Sequence, residues 1–108
     1  MAAQVIDGPG EPVSVLAEVA AERRRQDSRW GEQNHPDGTG DAYADDAVLA
    51  RKECERAADN GELTWRHILL EEVAEAMAER EPADLRNELI QVAAVAVAWA
   101  EALDRRYS

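Results

Sequence analysis

A single proline sets the folding problem for this chain. Between Ile68 and Val92 the sequence runs ILLEEVAEAMAEREPADLRNELIQV, with apolar residues at helical spacing on both sides of Pro82. Proline has no backbone N–H, and its ring collides with the carbonyl four residues back, so a helix does not run through it undisturbed. In the first turn of a helix neither defect matters, because those N–H groups have no intrahelical partner. Pro82 therefore ends one helix, expected from Trp65 to about Arg80, and opens another, expected to reach about Arg105. A link this short turns the second helix back along the first, which predicts an antiparallel helical hairpin. Residues about equally far from the turn then face each other, Glu75 opposite Glu88 and Glu72 opposite Gln91.

Punctuation elsewhere predicts two more helices. Val15, Leu16, Val19 and Ala20 recur at helical spacing, and that helix should fail at Trp30-Gly31, before the loop residues GEQNHPDGTG. Asp41 is the expected N-cap of a helix running through Tyr43, Ala47, Ala50, Cys54 and Ala57 to the stop signal Asn60-Gly61. Thr64 is the expected cap of the next. No strand pattern and no repeat interrupts this reading. The expectation is a mobile tail over residues 1–12 and one all-α domain over 13–108, within the usual size of a single domain. With 45% hydrophobic residues and no Phe, its core should consist of thin, closely packed helices plugged by Trp30, Trp65 and Trp99. Val92 to Ala100 is continuously apolar, which suits either a central core helix or a second buried face in a subunit interface. We expect a homo-oligomer on this ground.

A formal net charge of −11 argues against a nucleic-acid partner, whose binding runs on clustered Lys and Arg. It leaves room for a nucleotide bound through a divalent metal. No basic region followed by a long apolar run marks a signal peptide, and Val92 to Ala100 is about half the length needed to span a bilayer. The expectation is a soluble, cytoplasmic protein with no membrane partner. Cys54, the single cysteine, cannot form an intrachain disulfide and reads as a small buried hydrophobe.

Glu72 and Glu75 are three residues apart, as are Glu88 and Gln91, so each pair shares a helix face. Folded as a hairpin, the two faces bring three carboxylates and one carboxamide together. Like charges gathered in a half-buried site repel and raise one another's pKa unless a cation compensates. Oxygen-only ligands suit Mg²⁺ or Mn²⁺, and Mg²⁺ commonly completes its shell with water and substrate phosphates. The plainer alternative is a solvated acidic face, although a solvent face has no reason to hug the stripe Leu85, Leu89 and Val92.

These segments carry a resemblance. LLEEVAEAM followed by LRNELIQVAA resembles the MazG-like, all-α NTP pyrophosphohydrolases, marked by EExxE on one helix and ExxD on the next. Glu71-Glu72-Val73-Ala74-Glu75 matches the first half in full, and Glu88-Leu89-Ile90-Gln91 matches the second except at its last position. ERRRQDSRWGEQ, Glu22 to Gln33, is similar to a segment near the start of some relatives in that group, so the resemblance extends over most of Glu22 to Leu103. It implies a four-helix MazG-like bundle in which Glu72, Glu75 and Glu88 bind Mg²⁺ and Gln91 stands at the remaining ligand position. Glu71 is implied as a further ligand or as the group that orients the attacking water, so Glu71 and Glu72 are the expected catalytic residues. The implied reaction is attack of water at the α-phosphorus of a nucleoside or deoxynucleoside triphosphate, giving the monophosphate and pyrophosphate. Gln91 departs from the pattern: an amide oxygen can ligate Mg²⁺ but brings no charge and cannot act as a base.

Substrate contacts are expected from the first helix and the loop after it. Trp30 would stack on a base or cover the end of the bundle. Arg25, with Arg23 and Arg29, would reach phosphates or form a solvated face, and Gln26 and Gln33 would read a base edge. His35 reads as an exposed turn residue. His67 reads as a helical partner of Glu71 one turn on, and Trp65 and Trp99 as core or interface. The expected function is thus Mg²⁺-dependent NTP pyrophosphohydrolysis. The rival is a non-catalytic helical assembly or nucleotide-binding module whose acids only solubilise it.

Overall fold

The computed structural model describes residues 14–107; the expected tail, residues 1–12, lies outside them. The described chain is all-α: α1 (Val15–Trp30), a 3-10 turn (Asp41–Tyr43), α2 (Ala44–Asp59), α3 (Trp65–Ala78) and α4 (Pro82–Arg106). It divides at Pro36 and Asp37 into two compact units, and the expected domain spans both.

The first unit is α1 and the segment after it. Ser14 caps the helix, its Oγ accepting from the Ala17 N–H at 3.1 Å. Gly31 ends it at φ 69°, a left-handed value that glycine reaches without strain, and its N–H closes on the Asp27 carbonyl at 2.8 Å. Trp30 is not a core plug: it is 60% exposed, and the Arg29 guanidinium lies 4.7 Å from its ring centroid.

In the second unit α2 and α3 run antiparallel. Near the start of α2 the Gly40 N–H donates to the Met77 carbonyl at 2.9 Å, and Asp41 meets Arg80 at 3.4 Å. Toward its end Glu53 meets His67 at 3.2 Å. Asp41 does not cap α2 as expected. It opens the 3-10 turn, and α2 proper follows Tyr43 without a side-chain cap. The cause is tertiary, since the chain entering α2 is tied through Gly40 to a terminal carbonyl of α3.

Thr64 caps α3 in a reciprocal pair. Its Oγ accepts from the His67 N–H, and His67 Nδ1 accepts from the Thr64 N–H, each at 3.2 Å. Histidine here takes the place that Glu or Gln usually fills in a capping box. With Nδ1 accepting, Nε2 carries the proton and faces Glu53 Oε2. His67 is therefore a cap and an α2 contact, not the Glu71 partner expected from spacing.

Pro82 stands in the first turn of α4, as expected. Trp65, at the start of α3, stacks on Trp99, late in α4, with ring centroids 6.5 Å apart and planes 10° from parallel. Leu85, just after the turn, is buried. The hairpin is antiparallel in consequence.

α2 packs on α3 and α3 on α4, while the backbones of α2 and α4 do not come close to each other. The central helix is thus α3, not the more apolar α4. From Glu71 to Ala78 no residue of α3 is exposed, whereas Ala93, Ala94 and Ala96 on α4 are. Among the described residues the buried apolar side chains are Ala47, Ala57, Ala76 and Leu85, and the small ones let helices approach closely. Cys54 is only half-buried. No described helix is long and apolar enough to cross a membrane.

Candidate metal centre

The position of α3 decides the environment of its acids. A helix with neighbours on two sides has little open surface, so Glu71, Glu72 and Glu75 are all half-buried. The turn at Pro82 then folds α4 back so that Glu88, also half-buried, joins them. One carboxylate oxygen from each of Glu72, Glu75 and Glu88 lies within 4.8 Å of the others.

The electrostatics follow from this crowding. Glu72 has its pKa raised, first by burial and then by the charges of Glu75, Glu88 and Glu71. Glu75 is raised as well, by burial and then by Glu71, with Glu79 adding to the effect and the Arg51 guanidinium opposing it. Glu71 also reaches toward α2. Burial raises the Cys54 thiol, and the nearby Glu71 carboxylate, accepting a hydrogen bond from it, raises it further.

The donor set fits a hard divalent cation. It is all oxygen, anionic and drawn from the two helices of one hairpin. For metal–oxygen bonds of about 2.1 Å, octahedral ligands sit roughly 3 Å apart when adjacent and roughly 4.2 Å apart when opposite. A cluster within 4.8 Å needs only small side-chain adjustments to reach those spacings. Gln91 is exposed, three residues beyond Glu88 on α4.

No protein-family model, curated protein or solved structure matches this chain.

The expected substrate contacts lie in the first unit, engaged there with one another and their neighbours. Arg25 pairs with Glu22 at 2.7 Å. Gln26 accepts from Arg23 at 2.7 Å, and Arg23 also pairs with Asp27 at 2.9 Å. Gln33 meets His35 at 3.0 Å. Arg23, Asp27, Gly31, Glu32 and Gln33 line an open depression. Two residues near the acids were not singled out as site residues from the sequence: Arg51, whose charge bears on Glu75, and Cys54, which meets Glu71. They lie three apart on α2 and so share a face, but nothing in their spacing says that this face meets α3.

Proposed function

We propose that the second unit holds Mg²⁺ through Glu72, Glu75 and Glu88 and hydrolyses a nucleoside or deoxynucleoside triphosphate to the monophosphate and pyrophosphate. The observation that carries this reading is the convergence of those carboxylate oxygens within 4.8 Å on half-buried helix faces. Such an array is unfavourable without a compensating cation. The EExxE and ExxQ spacing, with its resemblance to the MazG-like pyrophosphohydrolases, supports the choice of reaction.

Mg²⁺ supplies neutralisation of charge developing on the phosphate oxygens and a lowered pKa for a bound water. The residues of this chain do the rest. Glu72, Glu75 and Glu88 would hold the cation, and Gln91, three residues beyond Glu88, would offer an uncharged amide oxygen. Glu71 orients the attacking water and accepts its proton. The Cys54 thiol, donating to Glu71, steadies that carboxylate. Water adds at the α-phosphorus as the bond to the bridging oxygen breaks, and pyrophosphate leaves.

Oligomerisation belongs to the same proposal. Leu70, Leu89 and Ile90 are 48%, 46% and 54% exposed, surface that a second copy would cover to complete a bundle of at least four helices. A second reading, nucleotide binding with little turnover, is favoured by Gln91, which adds no negative charge to the metal site.

The test is direct. Purified protein is incubated with a panel of NTPs and dNTPs, with and without Mg²⁺, and pyrophosphate is measured; Mg²⁺ and Mn²⁺ binding are followed by calorimetry. Metal-dependent release from at least one nucleotide is expected. Metal and nucleotide binding without release would select the second reading. Absence of both release and metal binding overturns the proposal.

A further inference from the structure

We infer that the outward face of α4 is a self-complementary dimer surface, which pairs antiparallel with the same face of a second copy and sets Arg86 of each against Asp104 of the other. This deepens the oligomer of the reading above and is independent of the metal.

α4 carries two stripes at helical spacing. Leu85, Glu88, Val92, Val95 and Trp99 form the first, which faces α3. Leu85 is buried, Glu88 brings an oxygen to those of Glu72 and Glu75, and Trp99 stacks on Trp65. Arg86, Ile90, Ala93, Val97, Ala100 and Asp104 form the second. At 100° per residue it lies roughly 140° around the helix from the first. α3 therefore does not cover it, and the backbone of α2 does not come close to α4. Arg86, Ile90, Ala93 and Asp104 are exposed, Val97 and Ala100 are half-buried, and exposed Leu89 and Leu103 widen the apolar surface along one edge.

The pattern of this stripe says what fits it. Alternating steps of four and three residues are those of a coiled-coil seam, here roughly 27 Å long. Its centre is apolar and its two ends carry opposite charges. In a twofold dimer the contacts are reciprocal. Antiparallel pairing that sets Arg86 opposite Asp104 of the second copy also sets Ile90 opposite Ala100 and Val97 opposite Ala93. Each apolar layer then joins a large side chain to a small one, so the helices interdigitate at close range. Parallel pairing would stack Arg86 on Arg86, Asp104 on Asp104 and Ala93 on Ala93. One register thus satisfies charge and volume together. Both end charges are available for it, since no ion pair within 4 Å among the described residues engages Arg86 or Asp104.

The experiment measures association of the full chain by sedimentation over a range of protein concentration, with helicity and thermal melt of each variant checked by circular dichroism. The unaltered chain is expected to dimerise. Arg86, Ala93 and Asp104 are exposed in the single chain, so changing them does not disturb the packing of α4 on α3. Ala93→Glu places a charge in the seam and should leave a folded monomer where the unaltered chain is a dimer. Arg86→Asp and Asp104→Arg each bring like charges together at both ends, and each should raise the dimer dissociation constant by about tenfold. The two changes combined in one chain should restore it. Net charge alone predicts otherwise: in a chain of −11, Arg86→Asp would strengthen the repulsion between copies and Asp104→Arg would relieve it.

A dimer that Ala93→Glu leaves intact, or in which the two single reversals act in opposite directions, overturns the seam while the oligomer stands. A chain that stays monomeric at every concentration overturns both. Neither result bears on Mg²⁺ binding, which calorimetry decides separately.

Discussion

Replacing Glu72 with Gln should make the metal-free protein more stable at neutral pH. Glu72 stands on the central helix with an oxygen within 4.8 Å of oxygens of both Glu75 and Glu88. Two unit charges at that separation repel by about 0.9 kcal/mol in bulk water and about 3.5 kcal/mol at an effective dielectric of 20. The carboxylates are half-buried and partly screened, so the lower figure governs, and two neighbours make the relief about 1–2 kcal/mol. For a domain of this size that is a rise in Tm of roughly 5–10 °C. The pH dependence has a definite sign. Burial and its neighbours raise the folded pKa of Glu72 above the ordinary 4.5, so between those two values the folded state binds more protons than the unfolded one. Stability falls as pH climbs through that window, and the full penalty stands at pH 7. The assay is thermal unfolding by circular dichroism from pH 4 to 8 at low ionic strength with a chelator present. The advantage of Glu72→Gln should be largest at neutral pH and fade in acid, and millimolar Mg²⁺ should raise the Tm of the unaltered chain more than that of the variant. A variant Tm at or below that of the unaltered chain at pH 7, or a difference that ignores pH, would refute the crowding on which the metal reading depends.

Three further outcomes follow from other parts of the molecule. Gln91→Asp should maintain or raise Mg²⁺-dependent pyrophosphate release while lowering the metal-free Tm; a large loss of activity with helicity intact would contradict the placement of Gln91 beside the metal. Leu85→Ala removes the only large side chain among the buried apolar residues described, 7% exposed, and should cost about 3 kcal/mol in urea unfolding; a cost near zero would mean that α3 and α4 do not pack as described. His67→Ala should cost about 1 kcal/mol through loss of the reciprocal cap, with His67→Gln recovering part of it in the same assay.

What could be read from the sequence was what local chemistry decides. Pro82 lacks an N–H wherever it is placed, Thr64 offers an oxygen to whatever helix follows it, and Gly31 and Gly61 tolerate positive φ; each marked its boundary to within about two residues. The start of α2 was not legible, because the bond from Gly40 to the Met77 carbonyl is made across the fold and competes with the cap that Asp41 would otherwise supply. The order of packing was also hidden. Apolar content suited α4 either as a central helix or as a face buried in a subunit interface, yet centrality depends on having partners on two sides, and within this chain it is α3 that packs on both α2 and α4.

The same distinction runs through the site. Glu72, Glu75 and Glu88 could be brought together on paper because Pro82 fixes the hairpin register, whereas the approach of α2 could not, since nothing in the spacing of its residues says which of its faces meets α3. Once α3 is seen to be central, the solvated-face account of its acids weakens on physical grounds. Carboxylates that serve solubility stand on open surface, as Glu101 does on α4, where water spreads their charge at little cost. Glu72 and Glu75 are instead held where α2 and α4 restrict water and Glu88 is pressed against them. A chain of net charge −11 has no need of more acid in such a place. On the metal reading proposed above, the arrangement is unfavourable to folding in isolation and offset by a bound cation, so stability and metal affinity should change in opposite directions when any one of the three is neutralised.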